Sequence, residues 1–378
     1  MSGNAEVWRV LGASVRGTSH RRKGTPNEDA WGRWHSAEHQ LAMGVVADGH
    51  GDSRSVRSHV GSRLAVESVR QVVEDRATRW GSADADRQKE VATASAKAVV
   101  ARWRRLIAED LMRNPLRAHE FDKLEPEAAE EVLLNPVVAY GTTMLMTIVA
   151  PDGIAHIGIG DGDILNVDTD GCSRAVFGED SPYVANETAS LCMDNPVDAV
   201  RVEVQNRAYS GDPALVLLCT DGVSNAFRRR EGFYQLGADL IDDIEDRSDE
   251  AVAEDLPGWL EDFSSQGSGD DVTACILVAP AAEQDHDNMV KTEQQQAGEE
   301  SPASSSLENW EQKTEPCDLP GNHSSERPVR PGSARLNYAG DDQQGWYSTL
   351  CKTLSDLFTV SADATNTSVK LSSEEEEQ

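Results

Sequence analysis

The sequence predicts an α+β domain in which antiparallel sheets are packed by paired helices, followed by a tail too polar to build a core. Three observations carry this reading. Short apolar runs recur through the first three quarters of the chain, and helical periodicities fall between them in pairs; from about Glu283 the composition turns to Glu, Gln, Ser and Pro. Paired helices between runs of strands differ from the strand–helix–strand alternation of a parallel sheet. The expected division is therefore a folded domain over residues 1–282 and an acidic, Ser/Gln-rich, disordered tail over 283–378.

Each element follows from local pattern. Residues 41–47 form an apolar run that stops at Asp48-Gly49, as a strand does when it feeds a turn. Val56, Val60, Leu64 and Val72 or Val73 recur at helical spacing and mark an amphipathic helix through about Glu74. A second helix begins near Asp86, with Val91, Val99, Trp103, Ile107 and Leu111 near one face. Residues 137–149, 154–158 and 164–167 read as consecutive strands with glycine-containing turns, and Asp170-Gly171 fits a hairpin before a strand at 174–177. Further strands fit 202–204, 214–219 and 272–278, with helices near 231–244 and 249–263 between the last two. No internal repeat interrupts this order. In the tail, Trp346, Leu350, Leu354, Leu357 and Phe358 share a helical face, which suits a docking segment or a transient helix without a role equally well.

Charge narrows the class of partner. The 378 residues carry a formal net charge of −31, from 35 Lys+Arg against 66 Asp+Glu. A nucleic-acid binder concentrates positive charge, so DNA and RNA are not expected partners. The beginning of the chain lacks a basic segment followed by an apolar stretch, and runs such as 214–219 are far too short to span a bilayer, so a cytoplasmic protein without membrane association is expected. The six cysteines show no CxxC pair; Cys219 and Cys275 sit in apolar runs as small buried hydrophobes. The sequons at Asn186, Asn322 and Asn366 are then chance matches.

The acids matter through their placement. Asp48, Asp161, Asp221 and Asp270 each stand at the edge of an apolar strand-like segment, the first three in Asp-Gly pairs, and Asp270-Asp271 directly precedes Val-Thr-Ala-Cys-Ile-Leu. One such Asp-Gly is ordinary turn chemistry. Four carboxylates fixed at strand ends would instead make an oxygen-rich site for a hard cation such as Mg²⁺ or Mn²⁺. Glu28 and Asp29 add two more after a basic stretch, 16–23, and cations beside a carboxylate–metal site are what a phosphate dianion needs.

With these residues in view the chain resembles a family. Asn-Glu-Asp-Ala at 27–30, Ala-Asp-Gly-His-Gly at 47–51, Gly-Thr-Thr at 141–143, Ile-Gly-Asp at 159–161, Thr-Asp-Gly-Val at 220–223 and Asp-Asp-Val-Thr at 270–273 follow the ordered motifs of the metal-dependent type 2C (PPM) protein phosphatases, and Gly17-Thr-Ser-His20 is similar to a bacterial branch. Each motif is weak alone; the ordered set, over about residues 7–280, is specific. The resemblance implies a four-layer α-β-β-α sandwich of two antiparallel sheets with metals at one end. It implies hydrolysis of phosphoserine and phosphothreonine in phosphorylated proteins, in opposition to a serine/threonine kinase. By the same resemblance Asp48 bridges two Mn²⁺ or Mg²⁺ ions, the Gly49 carbonyl ligates one, Asp221 and Asp270 complete the inner shell, Glu28 and Asp29 act through waters, and Asp161 with Asp221 supports a weaker third ion. A water between two cations about 3.5–4 Å apart is acidic enough to attack phosphorus near neutral pH. His50, beside Asp48-Gly49, is positioned by sequence to protonate the leaving alkoxide.

One position departs from the family pattern. The usual Arg four residues before the motif Glu is here Gly24, so phosphate contact falls to His20, Arg21 or Arg22, with His20 favoured by the Gly-Thr-Ser-His spacing. The short stretch between Asp161 and Asp221 implies a reduced substrate-side flap. Gly158-Ile-Gly160-Asp-Gly162-Asp imitates a dinucleotide loop, but Asp163 replaces the last glycine and a strand follows. Asn166, Asp168, Asp170 and Gly171 imitate a calcium loop, but Phe177 stands where its closing Glu belongs. Two other functions stay open at this level: a phosphatase-like module that binds without turnover, and a phosphohydrolase of a small metabolite.

Overall fold

In the computed structural model, residues 8–178 and 189–280 are described; the predicted tail and its apolar face around Trp346 lie outside them. The strands run Arg9–Val15 (β1), Ala30–Ser36 (β2), Leu41–Ala47 (β3), Met144–Val149 (β4), Gly153–Ile159 (β5), Asp163–Val167 (β6), Ser173–Ala175 (β7), Arg201–Asn206 (β8), Leu215–Cys219 (β9) and Val272–Val278 (β10). They form two five-stranded sheets, ordered β1-β10-β9-β6-β7 and β2-β3-β4-β5-β8, and every pairing is antiparallel. The helices are Thr18–Lys23 (α1), Ser58–Asp75 (α2), Ala77–Gly81 (α3), Ala85–Arg113 (α4), Pro126–Leu134 (α5), Pro196–Ala199 (α6), Arg207–Ser210 (α7), Asp221–Ser224 (α8), Arg230–Arg247 (α9) and Asp249–Phe263 (α10).

The expected four layers are present. Helices α2 and α4 cover the sheet of β2, β3, β5 and β8; α9 and α10 cover the sheet of β1, β10, β6 and β7; and β3 and β4 face β9 and β10 across the middle. Strand period explains why β3 reads as an unbroken apolar run. Its odd positions Leu41, Met43 and Val45 point into the core under α2 and α4 with Trp80 and Trp103, while Ala42 and Val46 point into the core between sheets with Leu218 and Leu277. Complete burial on both faces is what a strand in the middle of four layers requires.

The register brings the site together. Ala30 pairs with Ala47, Met144 with Ile159, Ala274 with Cys219 and Asp163 with Cys219. Glu28, Asp48, Asp161, Asp221 and Asp270 therefore leave their strands at the same end of the sandwich.

Three sequence readings are revised. The strand expected over 137–149 begins only at Met144; Pro136–Tyr140 is a 3₁₀ turn that Pro136 starts and that buries Val138, Ala139 and Tyr140. Strand β2 was not anticipated because its Ala-Trp-Gly-Arg-Trp-His-Ser run is half-exposed at a sheet edge and carries charge among its aromatics. The basic stretch before Gly24, given no element by its pattern, contains helix α1.

Candidate active site

The strand ends surround a cavity of about 360 Å³ lined by carboxylates. Glu28, Asp48, Asp161, Asp221, Asp270 and Asp271 contribute to its wall, with Gly49, His50, Thr143, Ser19, His20 and Lys23. Of the residues the sequence singled out, the structure gathers His20, Glu28, Asp48, Gly49, His50, Asp161, Asp221 and Asp270 here. Asp29 lies behind the wall, and Arg21 and Arg22 do not line the cavity.

Asp48 is fixed from both sides of its own peptide. Its amide donates to Thr143 Oγ1 at 3.1 Å, and its carbonyl accepts from the Thr143 amide at 2.8 Å and from Thr142 Oγ1 at 2.8 Å. This is the structural use of Gly-Thr-Thr. The Gly49 amide donates to the Glu28 carbonyl at 3.1 Å, an approach only glycine allows, since a Cβ on Gly49 would lie 2.6 Å from that oxygen. On β8, Arg201 donates to the Gly160 carbonyl at 2.8 Å and so holds the turn that presents Asp161. Asp221 opens α8 instead of a hairpin turn, and Asn225 one turn later donates to its Oδ2 at 3.0 Å.

The electrostatics are those of crowded negative charge. Burial, then the charges of Asp29 and Asp221, pushes the Asp48 carboxyl well above its ordinary range. Burial and the charge of Asp161 push Asp221 up to about 6. Burial raises Glu28 and, more strongly, Asp29, which is 7% exposed and accepts from Thr220 Oγ1 at 2.8 Å. Burial likewise lowers His50 below the ordinary imidazole value, so it is neutral at pH 7.

Sequence reasoning chose Asp270 over its neighbour and missed what Asp271 does. Asp271 is 3% exposed and accepts from the Gly17 amide at 2.6 Å, the Glu28 amide at 2.6 Å and His20 Nδ1 at 2.8 Å. It ties β1, the Glu28 segment and β10 into one rim. The signal available was a second Asp at the start of a fully buried strand, where a carboxylate must find donors.

His20 is consequently enclosed by acids: Nδ1 is taken by Asp271, and Nε2 lies 3.8 Å from both Glu28 Oε2 and Asp270 Oδ1. Arg21 is drawn to Glu261 Oε1 at 3.0 Å, and Arg22 to Ser19 Oγ at 3.3 Å.

The donor set fits hard divalent cations. Oxygen ligands predominate, Asp48 and Asp221 are raised first by burial and then by neighbouring acids, and chain-supplied positive charge is sparse there. Among the described residues no three His, Cys, Asp or Glu side chains are already drawn into a metal-holding group; Asp48 and Asp221 instead hydrogen-bond one another. Two acids sharing a proton is how like charges coexist without a cation.

Residues 16–261 match the family described as Protein phosphatase 2C. Among solved structures, the chain is similar to the serine/threonine phosphatase Stp1 from Staphylococcus aureus, at 13% identity over 74% of this chain and 100% of that one with a TM-score of 0.47. It is similar to the Mycobacterium tuberculosis serine/threonine phosphatase PstP/Ppp, at 17% over 72% and 99% with 0.45. It is also similar to the catalytic domain of serine threonine protein phosphatase PstP in complex with two manganese ions, at 17% over 72% and 98% with 0.42. No curated protein matches the chain.

Proposed function

The chain belongs to the protein phosphatase 2C family, and from that premise we propose that its carboxylate cavity removes phosphate from phosphoserine and phosphothreonine in proteins with the help of divalent cations. The observation that carries this reading is the crowding of Glu28, Asp48, Asp161, Asp221 and Asp270 around one cavity. A binding module without turnover would have no use for so many carboxyls crowded round one cavity, and Asp48, Asp221 and Asp270 are all intact.

Asp48, the Gly49 carbonyl, Asp221 and Asp270 would hold two Mn²⁺ or Mg²⁺ ions, with Glu28 and Asp29 acting through water and Asp161 with Asp221 supporting a weaker third. Bound there, the cations would acidify water for attack on phosphorus and neutralise phosphoryl oxygens. The chain's own residues set the geometry. The paired hydrogen bonds from Thr142 and Thr143 keep Asp48 in place, and Asp271 holds the Glu28 backbone and the His20 ring. Asp29, behind the wall, accepts from Thr220 Oγ1 and supplies a carboxyl whose ionised form a nearby cation would favour. His50, neutral near pH 7, is available as a hydrogen-bond donor to the leaving oxygen, and its protonated fraction can deliver the proton that oxygen takes up.

The substrates would be phosphoproteins made by a serine/threonine kinase. Among the described residues no helix is long and apolar enough to cross a membrane; a cytoplasmic setting is proposed from the sequence alone. The division into a catalytic domain through residue 282 and a tail without catalytic residues is part of the same proposal.

A panel of phosphoserine, phosphothreonine and phosphotyrosine peptides, set beside p-nitrophenyl phosphate and small phosphorylated metabolites at saturating Mn²⁺, tests the substrate class. The expected result is the highest kcat/KM on phosphoserine or phosphothreonine peptides. Preference for a metabolite by a factor of ten or more would move the chain to the metabolite reading.

A further inference from the structure

Gly24 leaves the family's phosphate arginine without a counterpart, and the acidic wall cannot receive a phosphate dianion unaided. Helix α1 shows how this chain answers. Successive residues turn by 100°, so His20 and Lys23, three apart, share a face, while Arg21 and Arg22 fall on others. The contacts follow this rule: Arg21 goes to Glu261 and Arg22 to Ser19, whereas Ser19, His20 and Lys23 line the cavity. Gly24 stops the helix in the left-handed region at φ 75°, its amide donating to the His20 carbonyl, so Lys23 is the last helical residue and its Cα is fixed at the rim.

We propose that Lys23 is the residue that receives the substrate's phosphate, in the role the family gives to an arginine; this rests on the phosphatase reading above. Lys23 is exposed at the rim, and among the described residues no carboxylate, hydrogen bond or ion pair engages it. A lysine beside Glu28, Asp270 and Asp271 that pairs with none of them is a cation kept for an incoming anion. His20 is not so free, because Asp271 holds Nδ1 and only the doubly protonated ring has a second N–H for phosphate. The Lys23 ammonium offers three donors on a flexible stem and steers anions toward a wall that otherwise repels them. An ammonium also lacks the planar fork of arginine, so it demands no single orientation of the phosphate. Both phosphoserine and phosphothreonine are then acceptable.

The test is steady-state kinetics of the full chain at saturating Mn²⁺ on a phosphothreonine peptide, with inorganic phosphate as competing product, for wild type, Lys23→Ala and Lys23→Arg. Lys23→Ala should raise KM and the inhibition constant of phosphate by roughly tenfold each, with kcat within about threefold, as for one charge-assisted contact made in ground and transition states alike. Lys23→Arg should restore most of both. Its melting temperature should equal that of wild type, since Lys23 holds nothing together. Unchanged KM and phosphate inhibition in Lys23→Ala would overturn the assignment, as would a Lys23→Arg variant no better than Lys23→Ala. If His20→Ala weakened phosphate inhibition while Lys23→Ala did not, the role would pass to His20. Failure of the phosphatase reading shows separately, as a wild-type protein that releases no phosphate from any peptide.

Discussion

Two acidic clusters in this molecule solve the same electrostatic problem in opposite ways. Where α2 meets the end of α4, Arg57 is 7% exposed and grips Glu120 through Nε at 2.6 Å and Nη2 at 2.9 Å. The same guanidinium donates to Tyr140 Oη at 2.7 Å, whose hydroxyl donates to Asp110 at 2.6 Å. These bonds hold the Glu120 carboxyl below its ordinary range. In and just behind the cavity at the strand ends the shifts run the other way: Asp48, Asp29, Glu28 and Asp221 are all raised. The first cluster carries its own counter-charge and is a structural clamp. The second is built for charge that arrives from outside, as cations and then a phosphate held against them.

Removing one member should therefore do opposite things in the two places. Asp48→Asn should cut turnover on a phosphothreonine peptide by about a thousandfold or more, since a neutral amide is a poor ligand for a hard cation. In excess EDTA at pH 8 the same variant should melt no lower than wild type, because it deletes a charge that burial and its neighbours disfavour. A variant that lost ten degrees of stability would place Asp48 with the clamp. Arg57→Ala should cost about 3 kcal/mol of folding stability, with or without Mn²⁺, by leaving Glu120 and Asp110 without their cation. Denaturation by urea reads this; an unchanged midpoint would remove the contrast.

A single ring between the two sheets sharpens the comparison on the acid side. His156 is 1% exposed, bonds Thr147 Oγ1 at 2.9 Å, and is pulled by burial from 6.5 to about 3. The unfolded chain therefore takes up this proton first, so the contribution is complete above pH 6.5 and is lost as pH falls from there toward 3. The slope should reach at most about 1.4 kcal/mol per pH unit, and His156→Gln should flatten it. A slope identical in that variant would assign the acid sensitivity elsewhere. The smallest expected effect is at the tail. Ending the chain near Gln284 should leave turnover of p-nitrophenyl phosphate within about twofold, because every proposed ligand precedes Ala274; a folded but inactive product would contradict the proposed domain division.

The cavity was more legible in the sequence than the clamp, and the reason is spacing. Asp48, Asp161 and Asp221 each follow a buried strand within a residue or two and precede glycine, so strand periodicity alone placed them at element ends. Asp270 was found from the opposite side, two residues before the buried strand Val272–Val278. The clamp joins Arg57, Asp110, Glu120 and Tyr140, residues on separate turns and helices that no local period connects. The half-exposed edge strand β2 and the Tyr140 turn escaped for the same reason, since tertiary packing and not local pattern decides them. Asp271 was visible but not separable from Asp270, because two adjacent acids alternate sides of a strand and only the fold reveals which one faces inward. The direction of His20 and Lys23 toward the cavity, and of Arg21 and Arg22 away from it, depended on a helix of six residues too short to announce itself.

The central claim is that the raised carboxyls await divalent cations and with them hydrolyse phosphoesters. Phosphate release from a phosphothreonine peptide by metal-stripped protein, followed as free Mn²⁺ is increased, tests it most directly. The account predicts no release in EDTA, a saturable rise with Mn²⁺, and no rise over the same range for Asp221→Asn; full release in excess EDTA would contradict it.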